Sequence, residues 1–215
     1  MRLLLIRHGE TPDNVVGALG TVIPGPGLTP LGERQAAAIP EALAHESIEA
    51  IYVSRMVRTH RTAAPLAAAL GIDPVELDGI HEISAGHLEG RSDMEAVYAY
   101  MGTLLSWWND PEARIGESGT EFFDRYDADI DRIAAEHEGT VALFSHGAAI
   151  RAWSARAAWN LDEGNTRTRG LANTGMVALE GSPDDGWEAV SWHEDPLGGT
   201  SLDDTAAPDP TGEPL

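Results

Sequence analysis

Arg2-Leu3-Leu4-Leu5-Ile6-Arg7-His8-Gly9-Glu10-Thr11 opens the chain with four consecutive apolar residues that give way at once to a polar, glycine-containing stretch. An apolar run without alternation reads as a strand covered on both faces. It is too short for the apolar region of a signal peptide, and no small-residue cleavage site follows. Outward from it, Ala50–Val53, Val75–Leu77 and Thr140–Phe144 supply further short strands. Met176–Leu179 and Trp187–Trp192 read as a terminal hairpin about the turn Ser182–Gly186. Helical patterns lie between them. One starts at Pro30 behind the N-cap Thr29 and runs to Leu43, with a kink or shortening expected at Pro40. The others are Thr59–Leu70 closed by Gly71, Ser92–Trp108, Gly119–His137 and Ala148–Trp159. Strands alternating with helices predict an α/β three-layer sandwich with a mostly parallel central sheet flanked by helices. Residues 1–195 read as one domain; Pro196–Leu215, rich in Pro, Gly, Asp and Thr with almost nothing to bury, reads as a disordered tail.

Composition excludes several kinds of chemistry. No cysteine is present, which removes disulfides, thiolate metal sites and cysteine nucleophiles and fits a cytoplasmic protein. All 14 Lys+Arg residues are arginines, so lysine Schiff bases and Walker-type phosphate loops are out of reach. No apolar run approaches the roughly 20 residues of a membrane span. The net charge of −21, without a basic stripe, argues against nucleic acid as a partner. It does not argue against a small anion. Surface carboxylates beyond about 8 Å are largely screened, whereas one arginine at about 4 Å contributes roughly 4 kcal/mol at an effective dielectric near 20.

Four segments follow predicted strands, where open α/β sheets gather ligands. They are Arg7-His8-Gly9-Glu10-Thr11, Ser54-Arg55-Met56-Val57-Arg58-Thr59, His81-Glu82-Ile83-Ser84-Ala85-Gly86 and Ser145-His146-Gly147. Together they bring two arginines, two histidines and a carboxylate. Guanidinium forks match phosphoryl oxygens, neutral imidazole attacks phosphorus, and a carboxyl group protonates a leaving oxygen and then draws a proton from water. Gly9 and Gly147 would let backbone approach a ligand closely. Ser145-His146-Gly147 also opens a helix, whose N-terminal amides favour an anion.

These four blocks, with Asn14, Leu28-Thr29-Pro30-Leu31-Gly32, Gln35-Ala36 and Thr62-Ala63, resemble the histidine phosphatase superfamily, the phosphoglycerate mutase-like group, over nearly the whole chain to about Leu179. The resemblance implies His8 as the nucleophile that becomes phosphohistidine. Arg7 and Arg58 would clamp the phosphoryl oxygens, with His146 as a third donor and Asn14 adding a neutral hydrogen bond. Glu82 would be the acid and then the base. Gly147 and Thr21 complete the expected substrate-binding set. No metal and no cofactor are implied. A variable helical cap is expected at residues 90–120.

Mutases of this family carry a longer insertion and extra basic residues there. Here the segment is short and acidic, with no basic residue between Arg91 and Arg114. A phosphatase acting on a small phosphomonoester is therefore favoured, its non-phosphate part neutral or apolar; Trp107-Trp108 reads first as core packing, with one ring a candidate wall over the substrate. A mutase-type phosphotransferase and a catalytically weak phospho-ligand binding protein stay open. The apolar terminal hairpin offers a surface for a homodimer.

Blander readings stand beside these. His8 after an apolar strand could be a satisfied core histidine, and His146 could merely pack at its helix start. Glu89 competes with Glu82 for the acid role, but the spacing of Glu82 to Gly86 matches the family. Arg55, Arg61 and His60 read as surface residues. Glu112, Glu117, Glu121 and Asp124 read as a solvated acidic face.

Overall fold

The structure is a computed structural model that describes residues 1–213. Six strands form one sheet: β1 (Arg2–Arg7), β2 (Ile48–Ser54), β3 (Val75–Leu77), β4 (Thr140–Ser145), β5 (Met176–Ser182) and β6 (Gly186–His193). Their order is β3-β2-β4-β1-β5-β6. The pairings β1·β4, β2·β3 and β2·β4 are parallel, while β5 runs antiparallel to both β1 and β6. Among the described residues seven α-helices accompany them: α1 (Pro12–Val15), α2 (Pro30–Ala42), α3 (Val57–Leu70), α4 (Met94–Ser106), α5 (Gly119–Glu136), α6 (Gly147–Ala157) and α7 (Glu163–Thr168).

The apolar run of β1 explains the layering. Leu3, Leu4, Leu5 and Ile6 are all fully buried, and the period of two sends them to opposite faces. Leu4 and Ile6 join Ile39 and Leu43, at the C-terminal end of α2, and Ala63 and Leu66 of α3. Leu3 and Leu5 join Tyr100 of α4, Phe122, Tyr126 and Ile130 of α5, and Trp153 of α6. Each such buried side chain is worth about 1.5–3 kcal/mol relative to exposure. The helices after β1 and β4 thus lie on opposite faces of two adjacent parallel strands, which opens a crevice at their carboxyl ends.

Local chemistry sets the helix bounds. Thr29 caps α2 by accepting from Gly32 N–H, with Pro30 in the first turn. Gly71 ends α3 in the left-handed region at φ 68°. Of the kink or shortening expected at Pro40, the shortening is one residue: α2 continues past Pro40 to Ala42, with Leu43 as its C-cap, and its last turn tolerates the missing N–H. The short helices α1 and α7 lie in stretches without apolar periodicity, and each is held by a capping box, Thr11 with Asn14 and Asp162 with Asn165.

The chain from Pro196 differs from the disordered tail that composition predicts. Leu197 packs against the core, Thr200–Leu202 forms a 3₁₀ turn, and Asp209–Gly212 hydrogen-bonds to Arg7 and Leu171. Polar contacts hold the segment, and hydropathy does not register them. Pro214 and Leu215 lie outside the described residues.

Candidate active site

Strand register brings the two histidines together. Arg7 of β1 pairs with Ser145 of β4, so His8 and His146 leave the sheet side by side, and His8 N–H donates to Ser145 O at 3.0 Å. Their ring centroids are 5.2 Å apart. β2 flanks β4 and delivers Ser54 and, in the first turn of α3, Arg58. Beyond β3 the loop carries Glu82 back to the start of α6.

His8 is buried, and its Nδ1 lies 2.8 Å from Gly9 O. A carbonyl only accepts, so Nδ1 carries the proton and Nε2 presents a lone pair. Burial, then the charges of Arg58 and Arg7, hold its pKa well below 6.5, which keeps the ring neutral. His146 is also fully buried and held well below 6.5 by burial and Arg58. Its Nδ1 accepts from Arg58 Nε at 3.2 Å, which leaves Nε2–H to donate to Ser54 Oγ at 2.8 Å. Both ring nitrogens of His146 are thereby engaged. In this arrangement His146 touches Arg58 and Ser54.

Arg58 donates through Nη2 to Gly20 O at 3.0 Å. Burial lowers its pKa to about 10, which leaves it charged at neutral pH. Asn14 accepts at Oδ1 from Thr11 N–H (2.9 Å) and Thr11 Oγ (2.8 Å), and this aims its NH2 group inward. Glu82 is buried; its Oε1 accepts from Ile83 N–H and Ala149 N–H, both at 2.9 Å, and its Oε2 from Ala148 N–H at 3.2 Å. Burial raises its pKa above 4.5, against the downward pull of Ile83 N–H and Arg58. Glu89 does not share this position. Its carboxylate accepts from Thr21 N–H, Thr21 Oγ and Val22 N–H and ties down the loop after α1.

His8, Asn14, Thr21, Arg58 and Glu82 line one cleft, together with Asp13 and Thr211. Arg7 stands beside it, fully buried. It donates to Leu171 O and Thr211 Oγ, and in a two-pronged contact to the Asp209 carboxylate. Gly147 opens α6 where an added Cβ would lie 2.9 Å from Arg7 Nε and 2.6 Å from Thr211 O. Gly9 turns its bare side to Gly32, not to the cleft: a Cβ there would meet Gly32 O at 2.8 Å. Trp107 and Trp108 line a separate cavity of about 330 Å³ that shares no residue with the cleft, so neither is its wall.

The sequence pattern missed Arg125 of α5. Its guanidinium donates to the carbonyls of Gly79, His81 and Glu82, and pairs with Glu117 at 2.8 Å, which in turn accepts from Ser84 N–H. Glu117, read above as solvated, is a largely buried brace for the loop that bears Glu82. The available signal was one of only two cations, Arg125 and Arg132, on an otherwise acidic helix. Arg55, His60 and Arg61 are exposed and paired with Asp78, Glu76 and Glu33. Among the described residues no group of three or more His, Asp or Glu is placed to hold a metal ion. No helix among them is long and apolar enough to cross a membrane.

A family profile described as the histidine phosphatase superfamily (branch 1) matches residues 3–195. PE-PGRS family protein PE_PGRS11 of Mycobacterium tuberculosis is 34% identical over 217 residues, covering 92% of this chain; the chain spans only 37% of that longer protein. Phosphoserine phosphatase 1 of Hydrogenobacter thermophilus is 30% identical over 156 residues, 71% of this chain and 74% of the relative. Among solved structures, a mycobacterial glucosyl-3-phosphoglycerate phosphatase complexed with VO3 matches at a TM-score of 0.75 and 26% identity, over 89% of this chain and 98% of that one.

Proposed function

The chain belongs to the histidine phosphatase superfamily, and within it we propose a metal-independent phosphomonoesterase that works through a phosphohistidine on His8. The observation that carries this reading is the tautomer of His8: with Nδ1–H held by Gly9 O, the Nε2 lone pair enters a cleft that also holds Arg58, Asn14 and Glu82.

In the first half-reaction His8 Nε2 bonds to phosphorus while the bond from phosphorus to the leaving oxygen breaks. Glu82, kept protonated more readily by burial, gives its proton to that oxygen. In the second, the ionised Glu82 takes a proton from water as the water oxygen attacks phosphorus, and the His8 lone pair is restored. Arg58, Arg7 and Asn14 stabilise charge on the remaining phosphoryl oxygens, the larger part of what phosphoryl transfer requires. His146 holds the Arg58 guanidinium in plane through Nδ1.

Hydrolysis is favoured over transfer to a second phosphorylated substrate by the cleft's charge. Among the described residues Arg58 is the one guanidinium that lines it, and Asp13 adds a carboxylate at the same opening. Arg91 and Arg114, which bound the cap segment, are exposed and turned to Asp93 and Glu121. This lining offers a doubly anionic substrate no second cationic patch. A small phosphomonoester with an uncharged remainder suits it better.

Hydrolysis of an aryl phosphate in excess chelator, wild type beside His8→Ala, tests the reading. Turnover that ignores chelator and disappears in the variant supports it. Loss in chelator points to a metal hydrolase, and equal slow turnover by both proteins to a binding protein. Phosphoglycerates outcompeting uncharged alkyl and aryl phosphates would favour the mutase.

A further inference from the structure

The phosphoryl clamp already holds an anion, and it comes from the chain itself. The Asp209 carboxylate sits on Arg7, with Oδ2 against Nη1 and Oδ1 at 2.7 Å from Nη2. Asn14 Nδ2 donates to the same Oδ1 at 3.1 Å. These are two of the groups assigned above to the phosphoryl oxygens. Two residues on, Thr211 Oγ accepts from Arg7 Nη2 at 3.1 Å, and Thr211 forms part of the cleft wall. Leu171 N–H donates to Gly212 O at 2.7 Å and fastens the strap beyond the clamp.

From these contacts we propose that residues 209–212 are an internal ligand of the phosphate site, a carboxylate standing in for phosphate, that competes with substrate. The inference rests on the hydrolase reading for the identity of the site, and three observations carry it. First, the remaining cleft is about 20 Å³, little more than the roughly 10–15 Å³ that one water needs by this measure, so a phosphoryl group has no room while Asp209 is in place. Second, the fit is shaped on both sides. A Cβ on Gly212 would lie 2.0 Å from Arg7 Nη1, and one on Gly147 would lie 2.6 Å from Thr211 O. Third, the strap is held by polar contacts. Gly212 is the one buried residue between Asp203 and Glu213, and hydrogen bonds from Arg7, Asn14, Leu171 and Arg151 hold the segment in place. The strap also lies beyond residues 3–195, the extent of the family match.

Arg7 Nε adds a further sign. It is buried with no hydrogen-bond acceptor while the carboxylate occupies both Nη atoms. A phosphoryl group carries at least one more free oxygen than a carboxylate. A phosphoryl group that engaged the Nε edge of Arg7 would give this donor the acceptor it lacks.

When a site is open for only a fraction of the time, apparent affinity falls by that fraction. The test is calorimetric titration of the full chain with inorganic phosphate, alongside KM for an aryl phosphate, in wild type, Asp209→Asn and Asp204→Asn. Asp204 carries the same charge on the same segment and does not touch the clamp. Asp209→Asn is expected to bind phosphate about tenfold or more tightly and to lower KM by the same factor, with Asp204→Asn within about twofold of wild type. Asp209→Ala should behave as Asp209→Asn, which separates loss of the carboxylate from any effect of the new amide. Unchanged or weaker phosphate binding in Asp209→Asn overturns the proposal, as does an equal gain in both variants, which would mark a diffuse charge effect. Phosphate binding is read without turnover: tighter binding by an enzyme that hydrolyses nothing would keep the strap and remove the hydrolase, whereas hydrolysis with no change in binding would do the reverse.

Discussion

Replacing Glu82 by Gln removes an ionisable proton and almost no volume, so its effect separates chemistry from packing. The carboxylate accepts two backbone N–H groups at Oε1 and one, from Ala148, at Oε2. A glutamine carbonyl can keep the first two. Its NH2 group then faces the buried Ala148 N–H, donor against donor, at a cost of about 1–3 kcal/mol. At roughly 2–4 °C per kcal/mol for a chain of this size, the melting temperature should drop by several degrees. That cost is the same for every substrate, but the chemical cost is not. General acid catalysis contributes about 10²–10⁴-fold, or roughly 2.7–5.5 kcal/mol at 1.36 kcal/mol per decade, and only where the leaving oxygen needs a proton. An acidic phenol departs as its anion, whereas an alcohol does not. The assay is kcat/KM, which reports the steps through phosphoryl transfer to His8, across phosphates of acidic phenols, weak phenols and primary alcohols. The variant should lose about tenfold or less on the first, and at least about a hundredfold more on the last. Burial raises the Glu82 pKa, so wild-type kcat/KM for alkyl phosphates should fall as pH rises through that value and the acid is lost; the variant lacks this limb. A parallel loss across all leaving groups would refute the assignment of Glu82 as the acid.

Arg125→Met removes three carbonyl contacts from the acid-bearing loop and strands Glu117. It should cost about 2 kcal/mol or more in denaturant unfolding and lower kcat/KM on alkyl phosphates well beyond the loss on aryl phosphates. Gly32→Ala places a Cβ 2.2 Å from Glu10 O, a backbone atom that cannot swing aside; a destabilisation of about 1–3 kcal/mol should appear in thermal melts. His8 and His146 have folded pKa values well below 6.5. Below about pH 6.5 the unfolded chain therefore binds protons that the native state does not, and stability falls with acidification by up to roughly 1.4 kcal/mol per pH unit for each ring. Chemical denaturation between pH 7 and 5.5 should show a shallower slope in His8→Gln, and an identical slope would contradict the burial-driven shift.

Much of this was legible because apolar sequence and strand ends coincide. The run Leu3–Ile6 is covered on both faces, and the abrupt change at Arg7-His8-Gly9 marks where the sheet ends and the crevice begins. Ser145-His146-Gly147 was readable for the same reason, since β4 stops as abruptly. The hairpin β5–β6 follows from two apolar segments joined by a glycine-containing turn. What remained hidden is held by polar contacts between distant segments. Asp209 meets Arg7 from a stretch of Pro, Asp and Gly that hydropathy scores as unstructured. Glu117 and Arg125 look like members of a solvated acidic helix until the loop at Glu82 is laid against them. Trp107 follows its first reading, core packing, and stacks on Phe122 of α5 instead of walling the cleft.

The central claim is that the imidazole of residue 8 accepts the phosphoryl group through Nε2. Wild type and Glu82→Gln should be mixed with an aryl phosphate, quenched in alkali, where a nitrogen-bound phosphate survives, and digested for tandem mass spectrometry. Phosphate should appear on the peptide that carries His8, as the Nε2 isomer and more abundantly in Glu82→Gln, where attack by water is slowed; His8→Ala should show none. An adduct on any other side chain, or full turnover by His8→Ala, would contradict the account.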